Sequence, residues 1–183
     1  MNWSGASFAL LKDLQRVLIE AFQEYTLSVE AGDNNYKIPD VIIGHAPSKG
    51  SIKADPPFLI ISPFKGTIVN RDNLDWVDVT VNLFCCVYRR ETIEDLEAGY
   101  NDMLNMIDLV YQTLNKQRKF AGNQWILNIP LNSWSAGLPK ELDIFQAGSQ
   151  SDPFYYGVIE CTFSKPALKR SPLHGIVDAI DYK

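Results

Sequence analysis

Between residues 74 and 88, apolar and polar positions alternate. Val77, Val79, Val81, Leu83, Cys85 and Val87 fall on one face at period two, while Asp78, Thr80 and Asn82 fall on the other. That alternation predicts a strand with one face buried. Phe84, Cys86 and Tyr88 then make the second face apolar too, so the distal half is expected to be covered on both sides. Four residues further on the period changes. Ile93, Leu96, Tyr100, Met103, Leu104, Ile107, Val110, Tyr111 and Leu114 recur at three- and four-residue spacing, with Glu94, Asp95, Glu97, Asn101, Asp102, Asn105 and Asp108 in the gaps. This is the stripe of an amphipathic helix. Thr92 and Asp95 are spaced as a capping box with a shortened acid, Lys116, Arg118 and Lys119 suit the negative end of the helix dipole, and Gly122 can end the helix. A long strand joined to a long helix by a short link predicts that the helix folds back onto the strand.

Around this unit the remaining elements take their places. Phe8, Leu11, Leu14, Leu18, Ala21, Phe22 and Tyr25 predict a first helix over residues 7–25, with Ser7 available as its cap. Residues 27–57 are a long connection in which Val41-Ile42-Ile43 is a candidate brief strand. Residues 58–62 form a short buried strand between Pro56-Pro57 and Pro63. Residues 65–73 are a polar link, of which 67–69 can extend a strand. Residues 124–129 give a third strand and 154–164 a fourth, with Tyr155, Ile159, Cys161 and Phe163 on one face and Val158, Glu160 and Thr162 on the other. The order α-β-β-α-β-β predicts an α+β fold, a mostly antiparallel four-stranded sheet with both helices on one face. Residues 1–165 read as one domain with long loops at 27–57 and 132–153, followed by a C-terminal arm, 166–183.

The chain has 183 residues, enough for one domain with an ample core. Its formal net charge of −5 lacks the basic excess of a protein whose main work is holding nucleic acid. Apolar runs are only a few residues long, so no membrane-spanning helix is expected, and the first residues lack the pattern of a secretion signal. Three cysteines, two of them adjacent in a strand, argue against a disulfide framework and for folding in a reducing cytoplasm.

The search for chemistry is brief. Residues 44–51 superficially resemble a phosphate loop, but the order is Lys49-Gly50-Ser51 where Gly-Lys-Ser is needed, and Pro47 removes a backbone donor. His45, His174 and three strand cysteines lack zinc-ligand spacing. Neither histidine accompanies a Gly-x-Ser-x-Gly nucleophile, and the carboxylates of the second helix lie on its polar face. No catalytic group, cofactor or metal site is expected. Arg89-Arg90, at the end of the long strand, can meet phosphate; the plainer readings are a solvated turn or an ion pair with a neighbouring subunit's acidic helix. Trp134, Leu138 and Phe145 in the second connection, and Leu173 and Ile176 in the arm, are more apolar than solvated segments need. With Arg89 and Arg90 they are the expected contacts with other subunits or partners.

The run Asp55-Pro-Pro-Phe-Leu-Ile-Ile61, the alternating strand Asp75-Trp-Val-Asp-Val-Thr-Val-Asn-Leu-Phe84, the helix after Thr92 and the strand Tyr156-Gly-Val-Ile-Glu-Cys-Thr-Phe163 occur here in the order seen in a known family. In this order of elements, over residues 7–164, the chain resembles the tail terminator (tail completion, minor tail) proteins of long-tailed bacteriophages. The resemblance implies a non-enzymatic virion protein folded in the host cytoplasm. It also implies a homo-oligomeric ring, a hexamer in the family, that caps the tail tube, stops its polymerisation and presents a face to the head. The partners implied are further copies of the chain, the tail tube protein and a head-completion or connector protein. DNA passes through such a ring without being specifically recognised, and an acidic lumen would repel it. Two alternatives stand beside this one: a head–tail joining protein of similar fold, and a small-ligand-binding α+β domain with its pocket under residues 132–153.

Overall fold

Strand-forming residues persist through Thr67, Ile68 and Val69, and the first pair able to reverse the chain is Asp72-Asn73. Both occupy the left-handed region, with φ of 52° and 62°. Short polar side chains tolerate that region, and a two-residue turn of this kind matches the twist of antiparallel strands. The computed structural model describes residues 4–28, 36–44, 56–89, 97–128, 133–136 and 154–167. Its helices are α1 (Ser4–Phe22) and α2 (Ala98–Lys116). Its strands are β1 (Leu27–Ser28), β2 (Tyr36–Lys37), β3 (Asp40–Ile43), β4 (Phe58–Arg71), β5 (Leu74–Tyr88), β6 (Lys119–Phe120), β7 (Trp125–Leu127), β8 (Ser133–Ala136) and β9 (Phe154–Pro166).

The fold is α+β, with two helices and one mixed, curled sheet ordered β3-β4-β5-β9-β7-β6, in which β8 also pairs with β9. A separate two-stranded ribbon joins β1 and β2. The sheet is thus larger than the four antiparallel strands expected, and β3 runs parallel to β4, with Val41 opposite Leu59. The excess comes from short pieces. β3 lies inside the stretch read as a long loop, β8 inside the second one, and β6 directly follows α2. Gly122, expected to stop the helix, sits instead in the β6–β7 turn with φ of 66°; α2 has already ended at Lys116. Helix α2 starts at Ala98 with no side-chain cap bond from Glu97, while Thr92 and Asp95 lie outside the described residues. The polar link expected at 65–73 is strand down to the turn. Pro63 reads as a terminator in sequence, but the register shifts between Pro63 and Lys65 and then continues, because a bulge is one of the few places where a strand accepts proline.

β5 is the central strand, paired with β4 from Leu74 to Cys86 and with β9 from Trp76 to Tyr88. Its odd-numbered face buries Val77, Val79, Val81, Leu83, Cys85 and Val87 in one cluster with Leu10, Leu14, Leu18 and Phe22 of α1 and Met103, Met106, Ile107, Val110 and Leu114 of α2. Removing such side chains from water stabilises the fold by about 1.5–3 kcal/mol each before entropy is counted. The other face carries a smaller cluster, Phe58, Ile60, Phe84, Cys86 and Val158, with no helix residue in it. The distal half of β5 is therefore buried on both faces, as its apolar run predicts.

Two glycines let α2 lie close against β9. A Cβ on Gly99 would fall 2.0 Å from the Tyr155 ring, and one on Gly157 would fall 2.4 Å from Ile107 Cδ1 and 2.7 Å from Met103 Sδ. The helices run antiparallel. Tyr25, just beyond α1, donates its hydroxyl to the Asp102 carbonyl at 3.2 Å. At the other end the Ala121 N–H donates to Asp13 Oδ2 at 2.7 Å. Gln15 Nε2 donates to the Val41 carbonyl at 2.8 Å, so α1 satisfies a backbone acceptor of the outermost strand β3 and blunts that edge.

Candidate interaction surface

The sequence offers no cluster of reactive groups, and the described residues contain no set of three or more His, Cys, Asp or Glu able to hold a metal ion. Their most distinctive polar feature lies where the β4–β5 hairpin leaves the sheet. Register places Asp78 of β5 opposite Ser164 of β9. Arg71, at the end of β4, donates to the Asp78 carboxylate and, at 3.2 Å, to Ser164 Oγ. Ser164 Oγ lies 2.6 Å from Asp78 Oδ1 and 3.0 Å from Asn128 Oδ1, so its one proton serves two acceptors. The Arg71 guanidinium also stands 5.9 Å from the Trp76 ring. Every charge here has a partner, and the network pins the hairpin to β9. It assembles residues separated by up to 93 positions in sequence, and cross-strand register is the one thing alternation cannot reveal, which is why sequence reasoning missed it.

Beyond that pin the hairpin is open. β3 pairs with β4 only over residues 58–61. Among the described residues, 62–71 therefore have a strand neighbour on the β5 side alone. The outer turns present Ile68 and Leu74 about half exposed, at 52 % and 49 %. Pro63, the bulge and Lys65 guard the start of this edge against indiscriminate pairing.

Of the contact residues expected from sequence, Arg89 is half-buried, and its Nη1 stands 3.6 Å from Asp102 Oδ2 of its own α2. The acidic helix it meets thus belongs to the same chain. Trp134 lies in β8, opposite Ile159. Arg90, Leu138, Phe145, Leu173 and Ile176 lie outside the described residues, as do His45, His174 and all of the phosphate-loop lookalike except Gly44. Among the described residues no helix is long and apolar enough to cross a membrane.

The three cysteines are free and buried. Burial pushes the Cys85 and Cys161 thiols up to about 12 from an ordinary 9.0, and raises Cys86 as well. A thiol is nucleophilic only as the thiolate. The native protein is therefore expected to leave all three unreacted with a thiol-specific dye at neutral pH and to release them together on unfolding. The folded state holds these protons more tightly than the unfolded chain does. Their stabilising contribution is accordingly complete below about pH 9 and is lost as pH climbs from there towards 12. Denaturant midpoints measured across that range should fall, and a midpoint that stays flat contradicts the assignment.

Comparison of the chain with protein-family models matches none of them, and comparison with curated protein sequences finds no significant match.

Proposed function

We propose that this chain is a non-enzymatic structural subunit of a long-tailed bacteriophage: a tail terminator that forms a ring on the tail tube, stops its growth and offers a face for head attachment. The observation that carries this reading is the outer half of the β4–β5 hairpin, a length of strand bonded on one side among the described residues, which exposes Ile68 and Leu74. A ring subunit must present two different patches that meet head to tail and close by rotation, and a one-sided ribbon with an apolar tip is suited to be one of them. The α+β arrangement, with both helices contributing to a single core on one face of the central strand, is compatible with the resemblance read from the order of elements. The acidic balance gives DNA in transit little to adhere to.

The test is assembly. Light scattering over a range of protein concentrations, followed by negative-stain imaging with and without purified tail tubes, is expected to give rings that cap tube ends. A chain that stays monomeric even beside tail tubes sinks the proposal. Phage lacking the protein should make overlong tails. Normal free tails beside filled heads would instead identify a head–tail joining protein.

A further inference from the structure

The antiparallel helices separate charge by sign. At one end of the helical layer, the last turn of α2 and the residues after it expose Lys116, Arg118 and Lys119. The middle of α1 lies level with this end of α2, since Asp13 bonds Ala121. It brings exposed Lys12, whose Nζ lies 5.6 Å from the exposed Phe8 ring. At the other end stand exposed Glu24 beyond α1, exposed Glu97 at the start of α2, and Tyr100, an aromatic side chain 39 % exposed. Asp102 and Arg89 are at this end too, and they face each other.

Lys116, Arg118, Lys119 and Glu97 suit the dipole of α2, but two physical arguments say that the lone chain does not pair the two ends with each other. A helix of 19 residues is about 28 Å long at 1.5 Å per residue, more than three times the ~8 Å screening length of physiological salt. The opposite charges therefore scarcely feel each other within one molecule. Local stability accounts for Glu97, at the N-terminus of α2, but not for the acids that end α1. The last turn of α1 contains no basic residue, while Glu20 and Glu24 sit where the helix dipole favours cations. Glu20 is held by Arg16 at 2.8 Å, but no described basic side chain answers Glu24 or Glu97.

We propose that a second copy of this chain docks head to tail on the helical layer, the basic end of one subunit (Lys12, Lys116, Arg118, Lys119) against the acidic end (Glu24, Glu97) of the next. Phe8 and Tyr100 supply an apolar contact beside the charges. The contact is heterologous, so it leaves one end of each sign open for a further copy and closes only by completing a ring. This assignment rests on the oligomeric reading above and names the surfaces that meet.

The experiment uses the full chain in two charge-reversed forms. One carries Lys116→Glu, Arg118→Glu and Lys119→Glu; the other carries Glu24→Lys and Glu97→Lys. All five positions are exposed, and circular dichroism melting checks that each form folds; if one does not, glutamine at the same positions replaces the reversal. Sedimentation velocity is expected to show wild-type association weakened more than ~10-fold in about 1 M salt, where the screening length falls to ~3 Å. Each reversed form alone should remain a monomer, and mixing the two in equal amounts should restore assembly, with the forms alternating. Reversed forms that assemble like the wild type, or a mixture that stays dissociated, overturn the assignment while wild-type rings leave the terminator reading standing. A wild type that never associates, with or without tail tubes, defeats both.

Discussion

Replacing Gly99 by alanine is expected to lower the melting temperature by roughly 2–12 °C, and replacing it by valine to prevent stable folding. An ordinary helical glycine behaves in the opposite way, since alanine there gains about 1 kcal/mol of helix propensity. The difference lies in the Tyr155 ring, three of whose carbons would stand 2.0, 2.4 and 2.6 Å from the new methyl. That ring is buried against α2 and belongs to the main core, so it has nowhere to turn. Forcing extra carbon into such a site typically costs about 1–3 kcal/mol, and in a domain of this size each kcal/mol moves the transition by about 2–4 °C. Gly157→Ala supplies the comparison. Its methyl meets Ile107 Cδ1 and Met103 Sδ, the ends of flexible side chains, and the added variant Ile107→Val removes one of those atoms. Combining Gly157→Ala with Ile107→Val should therefore cost less than the sum of the two single changes, as coupled neighbours do. A Gly99→Ala protein that melts at or above the wild-type temperature would show that α2 does not approach β9 as closely as described.

Trp125→Ala is expected to destabilise the chain by about 3–5 kcal/mol, measured as the shift in denaturation midpoint followed by circular dichroism. Trp125 is fully buried although it sits in a strand of only three residues. It lies at the end of the sheet where backbone pairing is sparse, with β6 and β7 sharing two registered pairs, so side-chain packing carries the attachment. Lys165 Nζ stands 4.7 Å from its ring centre, and nearby Phe120 and Phe163 meet edge to face at 5.3 Å. Truncation would open a large cavity beneath a corner that has few other ties. Lys165→Met, which removes the cation over the ring and keeps an apolar stem, should cost about 0.5–2 kcal/mol. If the two variants lose the same stability, the ring's burial is not what fastens the corner.

The parts of this fold legible in the sequence are those fixed by one residue's relation to its near neighbours. Alternation from Val77 to Val87 gives β5 and its buried face, and the spacing from Met103 to Leu114 gives α2, because each pattern repeats several times. Within β9 the division into Tyr155, Ile159, Cys161 and Phe163 against Val158, Glu160 and Thr162 likewise matches which side chains face the helices. What escaped depends on distant partners. Lys65, Gly66, Asn70 and Arg71 are polar enough to pass for a loop and are strand because β5 supplies their bonds. Lys119-Phe120 is too short to announce itself and is strand because Trp125-Ile126 lies alongside. The parallel direction of β3 is a matter of its pairing with β4, which the short apolar run Val41–Ile43 does not encode. Of the contact residues expected from charge or surplus apolar character, Arg89, just beyond β5, and Trp134, in β8, fall among the described residues. The charge separation across the helical layer is half visible in the sequence, where Lys116, Arg118 and Lys119 suit the helix dipole. Their opposite number at Glu24 and Glu97 emerges only once the helices are known to run antiparallel.

The position of β5 has a consequence for biosynthesis. Its two neighbours leave the ribosome at very different times: β4 precedes it directly, whereas β9, which takes up its second edge, follows only after residue 153 has been translated. Throughout that interval the nascent ribbon carries Leu83, Cys85 and Val87 with half of its hydrogen-bonding capacity unmet. A partly made chain of this kind is vulnerable to aggregation. Translational pausing between α2 and β9 should lower the soluble yield, and slower elongation elsewhere should not.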